Sequence, residues 1–165
     1  MFIKKLNLFF LIVTIFGTFV LLWSWIDTYQ FKNNPLDEKT IYQVKQKQSY
    51  LQNLSYKKFG INRKIPVLIS DKMPSKLFGA ATLDEQGKIQ IYLNKKRFKE
   101  SSDYMLHHVL PHEYAHAIMF AIGDTTNING GHTLKWQKIC LALEGLKCDR
   151  YVSHNDIIFG KTNLF

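Results

Sequence analysis

The pattern of apolar and polar positions divides the chain into unlike parts. From Leu8 to Ile26 the sequence reads LFFLIVTIFGTFVLLWSWI, 19 residues without a charge. A run that is apolar on every side has no polar face to offer water. As a helix it spans roughly 28 Å, close to the ~30 Å hydrocarbon core of a bilayer. Farther on, Ile41, Val44, Leu51 and Leu54 recur at helical spacing between Leu36 and Lys58, and Gly60 ends the pattern. Asn34 and Pro35 supply a start signal, with asparagine as cap and proline in the first turn. IPVLISD, Ile65 to Asp71, reads as a strand. FGAATLD and KIQIYLN flank a turn at Glu85-Gln86-Gly87. In the second of them Ile89, Ile91 and Leu93 alternate with Lys88, Gln90 and Tyr92, which marks a half-buried strand of a hairpin. An apolar helix follows from Tyr114 to Ile122, and another helical pattern runs from Thr133 to Glu144. The expected architecture is α+β: a small, mostly antiparallel sheet packed on helices, preceded by one N-terminal transmembrane helix.

Charge gives that helix a direction. Lys4 and Lys5 precede it, Asp27 and Lys32 roughly cancel after it, and Trp23 and Trp25 stand at its end, where an interfacial belt belongs. The bias keeps the N-terminus in the cytoplasm and puts the rest of the chain outside, on the periplasmic or extracellular side. A cleaved signal peptide is the rival reading; the apolar run is long for one, and no small-x-small site follows Trp25. The expected organisation is an anchor over residues 1–26, in contact with the membrane through residues 8–26, a linker over 27–35, and one folded domain over 36–165. The length of 165 residues suits one domain with a real core. The net charge of +9 is concentrated in the middle of the chain, with nine Lys/Arg against four Asp/Glu between Ile61 and Glu100. A solvated face explains this, and nucleic acid is not expected among the partners. Cys140 and Cys148 either pair in an oxidising compartment or remain thiols.

The stretch PHEYAHAIMFAIG, Pro111 to Gly123, carries chemistry. On a helix His112 and His116, four apart, share one face and can bind one cation. Glu113, offset by one residue, can stand beside the metal and take a proton from polarised water, which is what H-E-x-x-H requires. The pattern alone is weakly specific, so a third ligand decides. Met119 and Ile122 exclude the variant with its third histidine three residues past a glycine. Asp124 follows the helix too closely, and Glu144 lies near the end of the next helix. His132, after Gly130-Gly131, is the best placed. Three histidines suit zinc and leave a fourth position open, as in catalytic sites.

These segments together resemble the SprT-like zinc metallopeptidases. The resemblance runs from about Phe78 to His154. It rests on GAATLDEQGKIQIYLN, on VLPHEYAHAI, on GGHTLKW, and on LALEGL followed by SHND. It implies a zincin-like domain with one Zn2+ per chain on His112, His116 and His132, Glu113 as general base, and hydrolysis of peptide bonds in a protein or peptide substrate. Many cytoplasmic members carry a Cys-rich zinc ribbon after this region, which is not seen here, and some act on proteins crosslinked to DNA. With an anchor at the N-terminus, the catalytic machinery carries over and the DNA-linked role does not.

Other residues have assigned expectations. His108, four before His112, is expected in a supporting or core role because Pro111 interrupts the helix between them. His154 and Tyr151 are candidate donors to the oxyanion formed during hydrolysis. Trp136 is expected to pack rather than to touch substrate. In zincin-like folds a strand borders the cleft; here that is expected to be KIQIYLN, with Gln90 and Tyr92 lining the approach. Two other functions compete: a catalytically silent zinc-binding interaction module, and a cytoplasmic DNA-associated protease gripping phosphates with Lys95, Lys96, Arg97 and Lys99.

Overall fold

The computed structural model describes residues 2–126 and 128–149. The chain forms two compact units that meet between Leu36 and Asp37. The first contains α1 (Phe2–Asn33), long and apolar enough to cross a membrane by length and composition. Residues 27–33, expected in a linker, continue this helix.

The second unit begins with α2 (Glu38–Phe59). Its cap is Asp37 rather than Asn34. The Asp37 carboxylate accepts from the Thr40 N–H at 3.0 Å and from the Thr40 hydroxyl at 2.7 Å, satisfying donors that a helix start leaves open. Gly60, at φ 67°, closes the other end. Three strands follow: β1 (Val67–Ser70), β2 (Gly79–Leu83) and β3 (Ile89–Asn94), in the order β1-β3-β2. The sheet is mixed. β2 and β3 pair antiparallel, while β1 and β3 pair parallel, because two reversals bring β3 back along β1. The α+β architecture with a small sheet is as expected, the sheet being mixed rather than mostly antiparallel. The strand order corrects the expectation that KIQIYLN borders the cleft. KIQIYLN is the central strand, paired on both sides, with Ile89, Ile91 and Leu93 buried, and of the two outer strands it is β2 that borders the cleft.

The sheet is pinned at both ends of β2. Between β2 and β3 the Asp84 carboxylate accepts from the Gln86 and Lys88 N–H groups, and Gly87 takes φ 77°. Before β2, the wholly buried Asn94 donates to the carbonyls of Pro74 and Leu77. Its oxygen accepts from the Lys96 N–H, capping α3 (Lys95–Glu100).

A short turn, α4 (Ser102–Tyr104), leads through a π-helical turn (Met105–Val109) into α5 (Leu110–Ala121), which has Pro111 in its first turn. The wide turn and the proline together change the helical phase between His108 and His112. α5 packs against β2 and β3, and Tyr114, fully buried, donates from its hydroxyl to Gln52 of α2 at 3.0 Å. A 3-10 turn (Ile128–Gly131) precedes α6 (Leu134–Ala142), which lies against α5. Cys140 of α6 is disulfide-bonded to Cys148.

Candidate metal centre

His112 and His116 project from successive turns of α5, as their spacing predicts. The loop after α5 brings the third histidine to them. Gly123 (φ 78°) ends α5, and Asp124 then holds the loop by accepting from the Thr126 N–H and pairing with Lys135 at 3.0 Å. These contacts, the hydrogen bond from Thr126 foremost, lower the Asp124 carboxyl to about 2. Gly130 and Gly131 both take positive φ, 67° and 83°. A methyl on Gly131 would also stand 3.3 Å from His116 Nδ1, so the backbone approaches this imidazole as only glycine permits. His132 follows at once. Its Nε2 lies 3.0 Å from Nε2 of His112 and 3.2 Å from Nε2 of His116.

Those separations fit a metal. Two nitrogens about 2.0–2.1 Å from a tetrahedral zinc stand roughly 3.3 Å apart. Three imidazole nitrogens so close cannot all be satisfied by one another, because each neutral ring has a single N–H to give. A shared cation resolves this. Burial, and then the charges of the neighbouring histidines, hold His112 down to about 3; burial and then His132 hold His116 down to about 4. Both rings are therefore neutral at pH 7, with lone pairs available to a ligand-seeking ion. His112, His116 and His132 are the one such cluster among the described residues.

Glu113 lies on the buried side of α5, against β2. A methyl on Gly79 would stand 2.7 Å from Glu113 Cγ and 3.0 Å from Oε1, so the strand and the carboxyl touch where β2 lacks a side chain. Burial raises the Glu113 carboxyl to about 8, opposed by a hydrogen bond from the Ala81 backbone N–H. Gly79, Ala80 and Ala81, together with His112, Glu113, His116 and His132, line one cleft of about 680 Å³.

A family model described as the SprT-like family matches residues 45–154, two thirds of the chain. The chain belongs to the SprT-like family. No curated protein and no solved structure matches it. The SprT-like match covers α2 from residue 45 onward, the sheet, all three histidines and α6.

Of the other candidates, Glu144 accepts from the Tyr50 hydroxyl at 2.6 Å instead of reaching the histidines. His108 lines the cleft but stacks on Tyr104, ring centroids 4.7 Å apart, outside the trio. His154 and Tyr151 lie outside the described residues. Sequence reasoning missed Gly79, whose signal was only a run of small residues in FGAATL. It also missed how Trp136 meets the histidines: the indole contacts all three rings.

Proposed function

We propose that this SprT-like protein is a zinc-dependent endopeptidase held at the membrane by α1. The observation that carries this reading is the convergence of three Nε2 atoms at 3.0 and 3.2 Å in a cleft that also holds a buried glutamate. His112, His116 and His132 would hold one zinc ion, leaving a position open. When bound there, zinc would supply Lewis acidity toward water and a carbonyl. Glu113 acts as general base: its carboxylate accepts a proton from the attacking water and returns it to the leaving amine. Burial raises this carboxyl to about 8 in the metal-free site; a cation held by the three histidines would favour the carboxylate form that a base requires. The Ala81 N–H orients it.

The substrate is an extended, locally unfolded segment of protein, added to the outer edge of β2 by main-chain hydrogen bonds that disregard side-chain identity. The disulfide and the charges around α1 support an extracytoplasmic domain. His154 and Tyr151 remain proposed oxyanion donors.

The test offers unfolded protein to the zinc-loaded full chain in detergent. Cleavage should occur, and should be lost in Glu113→Gln with zinc retained. Stoichiometric zinc without cleavage across a broad substrate set would overturn the enzyme in favour of a silent binding module. Reporters fused after Phe165 test the side of the membrane; activity of a cytoplasm-only reporter would overturn the placement.

A further inference from the structure

Hydrolysis as proposed above has no chemical use for Trp136, yet this residue is the common neighbour of the whole histidine cluster. The indole is 1% exposed. It stacks on His116 with ring centroids 5.0 Å apart and an interplanar angle of 27°. It meets His112 at 4.7 Å and His132 at 4.5 Å, edge to face in both cases. Its Nε1 has no hydrogen-bond partner among the described residues.

The local sequence places it. In GGHTLKW the two glycines turn the chain and His132 follows. Thr133 then caps α6, its hydroxyl accepting from the Trp136 backbone N–H at 3.2 Å. Ligand and indole are thereby set one helical turn apart.

We propose that Trp136 is a positioning residue that acts as a floor beneath the three imidazoles and sets their ring planes for metal before any metal binds. The second torsion of a histidine is broad, so three unsupported rings would have to be ordered by the ion. Against one rigid indole that ordering is completed on folding, and metal affinity rises accordingly. This rests on the histidine trio being the metal site.

The test compares Trp136→Phe and Trp136→Ala in the full chain in detergent. Zinc affinity is read by chelator competition, and imidazole ring signals by NMR on the metal-free protein. Zinc binding should weaken about 10–100-fold in Trp136→Ala and stay within about threefold in Trp136→Phe, the range for outer partners of metal ligands. The ring signals should be single and shifted by the indole in the wild type, and averaged in Trp136→Ala. A folded Trp136→Ala with wild-type zinc affinity and unchanged ring signals would overturn the proposal. If that variant does not fold, Trp23→Phe/Trp25→Phe makes Trp136 the sole emitter. One equivalent of cobalt should then quench it, and undiminished emission with cobalt bound would overturn the placement. Ordered rings in a wild type that binds no zinc would instead defeat the metal reading and leave the floor standing.

Discussion

Replacing Gly79 by alanine should strike Glu113 and little else. Gly79 has no positive φ, so β2 accepts alanine without backbone strain. The added methyl would stand 2.7 Å from Glu113 Cγ and 3.1 Å from Cδ. Ordinary carbon contacts are about 3.5–4.0 Å, so Cγ must retreat by roughly 1 Å. Because Cγ is only one bond beyond Cβ, swinging the carboxylate does not relieve the clash. Either χ1 leaves its well, at about 0.5–1.5 kcal/mol, or β2 and α5 part, and overpacking of this kind costs about 1–3 kcal/mol. In a Glu113→Ala background the obstructing atoms are gone. There the same change should stabilise by about 0.5–1 kcal/mol, since glycine weakens a strand. The assay is urea unfolding of the metal-free protein for the four members of this cycle. The sign of the Gly79→Ala effect should reverse between backgrounds. Equal destabilisation in both would refute the contact between Gly79 and Glu113. With Glu113 present, cleavage should also fall about 10²-fold with zinc retained, the usual cost of a misplaced reacting group.

Stability of the metal-free protein should peak near pH 6.5. His112 and His116 are lowered from 6.5 to about 3 and about 4, so their contribution is present above 6.5 and lost as pH falls; Glu113 is raised from 4.5 to about 8, so its contribution is lost as pH rises. Between 4.5 and 6.5 two imidazoles outweigh one carboxyl, and above 6.5 Glu113 acts alone. Urea midpoints across this range should therefore rise and then decline, with the decline absent in Glu113→Gln. Replacing both Cys140 and Cys148 by alanine opens a loop of sequence separation 8 and should cost about 2.5 kcal/mol by loop entropy, read as a lower urea midpoint under oxidising conditions. Zinc at about a hundredfold its dissociation constant should add about 2.7 kcal/mol of stability. His132→Ala should lose most of that thermal shift and His108→Ala should keep it.

Much of this site was legible because its signals are local. Two histidines four apart on an apolar helix must share a face, whatever surrounds them. Gly130-Gly131 ahead of His132 announces a tight return, and the alternation of Ile89, Ile91 and Leu93 marks a strand with one buried face. The charge-free run from Leu8 to Ile26 likewise declares a helix long enough for a membrane. Sequence periodicity says which residues of a strand are buried but not which strands lie beside it. Alternation alone therefore allows KIQIYLN at the cleft edge, whereas it is the sheet's central strand and β2 lies at an edge. The i, i+4 spacing alone would group His108 with the cluster, and Pro111 is the sequence signal that sets it apart. What the spacing does not show is the π-helical turn Met105–Val109, after which His108 stacks on Tyr104 instead of joining the trio. Only the folded chain brings Gly79 against Glu113, 34 positions apart. Only there does Trp136 lie beneath His112, His116 and His132. Such contacts follow from the packing of β2 and α6 on α5, and no local pattern of residues encodes that packing by itself.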